Sequence, residues 1–131
     1  MDNQQTIILL YILFIWCVVL HTFEEIAQGA FEIKIGPIKA SKGKYLLGAS
    51  AITTVNLSTL ALIVVGNKIG LYLGLFTSSV IGVLQALVHS YGFFKEGGKA
   101  RNYGAGFYSS IPLSIASLVL LLNIVKVLWP S

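Results

Sequence analysis

Four long apolar segments, joined by short polar connections, account for most of the chain. Each has about the 20 residues that a helix needs to cross about 30 Å of hydrocarbon. The segments are Thr6–Gln28, Tyr45–Val65, Ile69–Phe94 and Tyr108–Leu128. Because the connections are short, neighbouring segments run antiparallel. The pattern predicts an all-α membrane protein, an antiparallel bundle of four transmembrane helices that forms a single integral membrane domain over residues 1–131.

Composition supports the same class. Hydrophobic residues make up 56% of the chain and charged residues 11%, which is far too apolar for a soluble domain of this length. The first segment follows an acidic residue, Asp2, and carries no small-residue cleavage pattern. We therefore expect it to be a span and not a signal peptide.

Basic residues are distributed unequally between the two ends of the predicted bundle. Seven lie in or beside the first and third connections, and two lie at the opposite end. Cytoplasmic loops carry the excess of Lys and Arg, so we expect a bacterial-type inner or plasma membrane with the first and third connections cytoplasmic and both termini outside. The seven are Lys34, Lys39, Lys42, Lys44, Lys95, Lys99 and Arg101, and the two are Lys68 and Lys126. Their dispersal gives no sign of nucleic-acid binding.

One polar cluster lies at the end of the first apolar segment, in His21-Thr22-Phe23-Glu24-Glu25. Ionisable groups inside a span are costly and usually functional. On a helix, His21 is three residues from Glu24 and four from Glu25, so all three side chains reach one face. The cluster lies in the last turns before the cytoplasmic boundary.

A second histidine occurs at the same predicted depth. His89 lies near the cytoplasmic end of the third segment, with Gln85 one turn deeper on the same face. Taken singly, these residues are also compatible with the polar end of an ordinary interfacial helix. Two histidines and two glutamates at one depth favour a shared site instead.

The residue types of this site suit a metal. His21, His89 and one or both of Glu24 and Glu25 can hold a single divalent ion, zinc or iron, and leave a position open for water. A two-metal site of the ferritin type needs more carboxylates than the spans contain. A metal-free enzyme using glutamate as acid and base stays an alternative.

Two further patterns concern the interior of the bundle. Asn56 lies near mid-membrane, where we expect it either to line the floor of a substrate pocket or to hydrogen-bond between helices. A row of small residues at spacing four, beginning Gly66, Gly70, Gly74, runs along the third segment. It predicts close helix packing that winds around the helix, and it offers a surface for a homo-oligomer.

The chain resembles the H-x-x-E-E family of small four-span membrane proteins. The resemblance rests on the motif from His21 to Glu25, Asn56 in the second span, His89 late in the third, and a stretch with Arg101, Tyr103 and Gly106 before the fourth. The family pattern has Pro-Gly where this chain has Ala105-Gly106. The resemblance implies an enzyme of undefined reaction. For our own part, we expect the substrate-binding residues to be Asn56, Gln85, Arg101 and Tyr103.

The function that we expect is a membrane-embedded enzyme acting on a lipid-like or isoprenoid amphiphile, because the site faces the boundary where lipid headgroups lie. A small proton-coupled transporter is the main alternative, and a structural subunit is the third. An essential transporter acid is expected near the midplane, and this cluster lies at one boundary.

Overall fold

The computed structural model describes residues 2–30, 34–35, 38–39 and 41–130. Helix α1 spans Asn3–Ala27 and α2 spans Lys42–Val64. Helix α3 spans Lys68–Lys95, and α4 spans Phe107–Leu128 after a short 3-10 turn at Asn102–Gly104. All four are long and apolar enough to cross a membrane. The predicted fold class, an antiparallel four-helix membrane bundle, is confirmed.

Between α1 and α2 the chain forms two short antiparallel strands, β1 at Lys34–Ile35 and β2 at Ile38–Lys39. Ile35 pairs with Ile38, and Lys34 pairs with Lys39. This connection and the α3–α4 connection, which contains the 3-10 turn, lie at the same end of the bundle as His21.

The core of the bundle is built mainly between α1 and α4. On α1, Ile7, Tyr11, Phe14 and Val18 recur at spacings of three and four and are buried. The facing side of α4 buries Leu113, Leu120 and Ile124 at the same kind of spacing. Large apolar side chains on the outer faces stay exposed, as they do in a helix surrounded by lipid. Among them are Leu9, Leu13, Trp16, Phe23, Leu47 and Leu122.

A buried polar contact joins three helices inside this core. The Tyr11 hydroxyl lies 3.0 Å from Asn56 Oδ1 and 2.8 Å from Thr77 Oγ1. Asn56 is 1% exposed. It therefore links helices, which is one of the two roles expected from the sequence, and its role at a substrate pocket stays a prediction.

Small residues on α3 allow close approach to each of the other helices in turn. A Cβ atom on Gly70 would lie 2.7 Å from the backbone nitrogen of Ile63 in α2, and one on Gly74 would lie 3.0 Å from Ile124 in α4. A Cβ on Gly82 would overlap the side chain of Ser117 in α4. The row winds around α3 as expected. Gly70 and Gly74 are buried within the chain, whereas Gly66 is exposed. The homo-oligomer through this row stays a prediction.

Helix α3 changes its winding in the middle. Its α-helical part Lys68–Thr77 passes into a π-helical stretch, Ser78–Leu84, before α-helix resumes at Gln85–Lys95. π-Helical turns are rare and occur often at functional sites. The wider turns alter the direction in which every later residue points, and Gln85 and His89 come directly after them.

We expect Gly92→Ala to destabilise the bundle, because the added Cβ would overlap the carbonyl group of Tyr103 in the α3–α4 connection. The loss should be about 1–3 kcal/mol, as for other overpacked positions. Thermal unfolding in detergent measures it. Gly48→Ala is the matched control, since no atom lies within 4 Å of a Cβ there; equal melting temperatures for the two variants would contradict the packing role of Gly92.

Candidate metal centre

His21 and Glu25 of α1 meet His89 of α3 at the connection-rich end of the bundle. The Nε2 atoms of the two histidines are 3.1 Å apart. Glu25 Oε1 lies 3.3 Å from His89 Nε2 and 3.7 Å from His21 Nε2. His21 is 3% exposed and His89 is 7% exposed. Three atoms that can donate lone pairs to a metal therefore converge on one buried point.

The separations between these atoms fit a metal ion. Atoms bound about 2.0–2.1 Å from a tetrahedral zinc ion lie about 3.4 Å from one another. The three observed distances, 3.1, 3.3 and 3.7 Å, bracket that value. Two imidazoles and one carboxylate suit zinc, and they also suit ferrous iron. Such a set occupies three positions and leaves others open.

The other ring nitrogen of His21 is held by the first turn of α4. His21 Nδ1 lies 2.9 Å from Ser109 Oγ, and this hydroxyl donates to the carbonyl of Gly106 at 3.3 Å. Ser109 Oγ can then accept from Nδ1–H, which leaves a lone pair on His21 Nε2. His89 Nδ1 lies near the backbone of Ala105 without a well-formed hydrogen bond. The contact with Ser109 fixes the ring of His21, as a metal-binding histidine requires.

Gly106 permits this close approach of α4 to α1. Its φ is +82°, a conformation that residues with a Cβ adopt only rarely. A Cβ there would also lie 2.6 Å from His21 Cε1 and 2.9 Å from Glu25 Cγ. The positive φ and the close contact with His21 and Glu25 are two physical reasons for a glycine at position 106. Gly106 is also one of the residues on which the resemblance noted in the sequence rests.

Gln85 and Tyr45 also contact the three candidate ligands. Gln85 Nε2 lies 3.0 Å from His89 Nε2 and 3.4 Å from His21 Nε2. The Tyr45 hydroxyl donates to Glu25 Oε2 at 2.6 Å, which leaves Oε1 to face the histidines. The sequence interpretation included Gln85 and missed Tyr45 and Ser109. Tyr45 is the first residue of the second predicted span and lies at the depth of the cluster. This position in the sequence is the feature from which its contact with the site could have been predicted.

Glu24 does not join this group, although the sequence placed it among the ligands. Its carboxylate accepts from the backbone nitrogens of Ser109 at 2.6 Å and Tyr108 at 3.3 Å, and from Gln28 Nε2 at 2.8 Å. These backbone groups are the free N–H donors of the first turn of α4. Because neighbouring residues on a helix point about 100° apart, Glu24 caps α4 while Glu25 faces the histidines.

A pocket of about 240 Å³ adjoins the centre, between α1, α2 and the middle of α3. Its polar wall is formed by His21, Glu25, Lys44, Tyr45 and Gln85. Thr22 is a further polar residue of the lining. The other lining residues are apolar or small, namely Val18, Gly48, Ala49, Ile52 and Ile81.

Three residues that the sequence assigned to substrate binding lie elsewhere. On α2 the pocket lining ends at Ile52, one turn before Asn56. Arg101 is exposed, and Tyr103 packs with its ring 5.1 Å from Lys95 Nζ. Neither belongs to the lining of the pocket in the described part of the chain.

Comparisons with protein-family models, with curated proteins and with solved structures found no match for this chain.

We expect Glu24→Ala to lower the free energy of unfolding by about 0.5–2 kcal/mol, the range for a lost helix cap. The first N–H groups of α4 and the amide of Gln28 lose their acceptor in this variant. Chemical or thermal unfolding in detergent measures the change. Glu96→Ala, at the C-terminal end of α3, is the control, and a Glu24 variant as stable as this control would show that the cap contributes nothing.

Proposed function

We propose that this protein is a metal-dependent enzyme of the membrane that acts on the polar group of a lipid-like or isoprenoid amphiphile. The observation that carries the proposal is the convergence of His21 Nε2, His89 Nε2 and Glu25 Oε1 on one point beside a pocket. We further propose that the chain belongs to the H-x-x-E-E family, on the strength of its motif and the late histidine.

The side chains divide the work of such a site. His21, His89 and Glu25 hold the ion, and a divalent ion there supplies Lewis acidity and an activated water. Ser109 orients the ring of His21, and Tyr45 fixes the carboxylate of Glu25. The Gln85 amide faces the same point as a hydrogen-bond donor. The apolar part of the pocket holds the hydrocarbon portion and excludes water.

A membrane transporter is less well supported. A transporter needs a path to both sides of the membrane. Below the centre the bundle is filled by Tyr11, Phe14, Leu113 and Leu120, each 0% exposed. A purely structural subunit has no use for two histidines and a carboxylate buried against one another, a costly arrangement in a span.

We propose a bacterial-type inner or plasma membrane location with both termini outside. The basic residues at the ends of α2 and α3, among them Lys42, Lys44 and Lys95, flank the metal centre, and the positive-inside rule assigns that end to the cytoplasm. An amphiphile then presents its polar group to the centre from the cytoplasmic boundary.

The metal prediction is tested by removing ligands one at a time. Wild-type protein purified in detergent is expected to hold about one zinc or iron ion per chain by elemental mass spectrometry. Glu25→Gln and His89→Ala should lose the ion. Glu24→Gln is the matched neighbour and should keep it, because Glu24 faces α4. Ser109→Ala should weaken metal affinity about 10–100-fold, as the loss of a ligand-orienting partner does elsewhere.

The same proteins test the enzyme. Each is reconstituted into vesicles of bacterial lipid extract, and the lipids are followed by mass spectrometry, while a fluorescent dye reports proton movement. The wild type and Glu24→Gln should convert a lipid component, and Glu25→Gln and His89→Ala should not. Proton or cation flux by the wild type with no lipid changed would overturn the enzyme in favour of a transporter.

The proposed orientation is tested by cysteine labelling after the single cysteine of the chain, Cys17, is replaced by serine. Lys42→Cys and Lys99→Cys should react with an impermeant maleimide only after cells are opened, because both lie at the basic end. Lys68→Cys, at the other end, should react in intact cells. The reverse pattern means that the centre faces outside.

A further inference from the structure

The pocket beside the metal centre also indicates which amphiphile it takes, and this inference depends on the proposed function. We propose that the pocket binds an amphiphile with an anionic headgroup, that Lys44 binds the anion at the rim, and that the hydrocarbon chain reaches the pocket sideways from the bilayer past the first half of α2.

The first half of α2 is poorly packed against the rest of the bundle. The buried residues of this helix, Asn56, Thr59 and Ile63, all lie in its second half. Before them, Leu47 is 73% exposed, and Gly48, which lines the pocket, is exposed as well. The two halves of α2 therefore differ: the second is anchored in the core, and the first borders a pocket that a lipid chain can reach.

Small residues on α2 leave room for a chain within that pocket. No atom lies within 4 Å of a Cβ built on Gly48, and Ala49 follows it in the lining. Across the pocket lie Val18 of α1 and Ile81 of α3, with Ile52 one turn deeper on α2. This end of the pocket is apolar on all three helices, which suits hydrocarbon and does not suit a water-soluble metabolite.

The charges at the other end favour an anion. Lys44 is the single cation among the residues that line the pocket, and it lies next to Tyr45, which binds Glu25. One carboxylate and two neutral imidazoles leave one positive charge on a divalent ion, while the neighbouring Glu24 carboxylate accepts from backbone N–H groups of α4 and from Gln28. Lys44 adds a second positive charge at the rim. A phosphate or carboxylate headgroup is attracted by both, and an ammonium headgroup is repelled by both.

The inference is tested with dodecyl phosphate that carries a photoreactive diazirine a few carbons from the phosphate. The full-length protein is placed in nanodiscs of neutral phosphatidylcholine, irradiated with the probe, digested and analysed by peptide mass spectrometry. We expect adducts on peptides that contain Val18, Ile52 or Ile81. Unlabelled dodecyl phosphate or dodecanoate should compete, and dodecanol should compete at least about tenfold less well. Inorganic phosphate at equal concentration should not compete.

Two pairs of variants locate the binding site. Gly48→Leu should fill the pocket and reduce labelling at least about tenfold, whereas Gly43→Leu, also with nothing within 4 Å of its Cβ but outside the pocket lining, should not. Lys44→Gln should lower labelling by the phosphate probe about tenfold and leave labelling by a diazirine analogue of dodecanol unchanged. Lys42→Gln controls for the general charge of this end of the bundle.

Each outcome decides the inference. Equal labelling of wild type and Gly48→Leu would place the hydrocarbon chain outside this pocket and overturn the inference. Dodecanol competing as well as dodecyl phosphate removes the anion requirement, and inorganic phosphate competing as well as the lipid removes the requirement for a chain. Metal content, measured on the same samples, separates the two proposals: labelling as expected without a bound ion refutes the metal enzyme alone, and a bound ion without the expected labelling refutes the amphiphile site alone.

Discussion

Lipid around a helix bundle supplies no hydrogen bonds, and the polar side chains of the spans must therefore satisfy one another. This constraint explains most of the internal contacts of the protein. The Tyr11 hydroxyl hydrogen-bonds to Asn56 and Thr77 in the core. Several other hydroxyls, such as those of Thr59 and Ser117, donate to the backbone carbonyl four residues earlier in their own helix. Near the boundary, the same need joins α1 to α4 through Glu24 and α1 to α3 through the two histidines.

The neighbouring glutamates show how one helix serves two purposes. Glu24 accepts the first N–H groups of α4 and holds that helix against α1. Glu25 points to the histidines and is held by Tyr45 of α2. The cap positions Ser109, and Ser109 in turn orients His21. The α1–α4 contact and the orientation of the His21 ring in the candidate metal centre therefore share one residue, Ser109.

Close packing of α3 brings His89 to the other two side chains of the candidate metal centre. Gly70, Gly74 and Gly82 let α3 approach its three neighbours in turn, and Gly92 lets the α3–α4 connection lie against it. His89 lies one turn before Gly92, so the same approach buries its ring. The buried residues of α2 all lie in its second half, and the pocket is the space that its first half leaves beside α1 and α3.

The sequence alone determined the four spans, their antiparallel order and the shared depth of His21, Glu25 and His89, because hydrophobic length and helical spacing are local properties. It also indicated Gln85, four residues from His89. It could not separate Glu24 from Glu25, since both lie within reach of His21 and only the position of α4 decides which one caps a helix. The π-helical stretch, the roles of Tyr45 and Ser109, and the burial of Asn56 away from the pocket depend on contacts between distant segments. Those were decided by the tertiary structure, because a side chain in a span takes whichever partner the packing of the other helices brings to it.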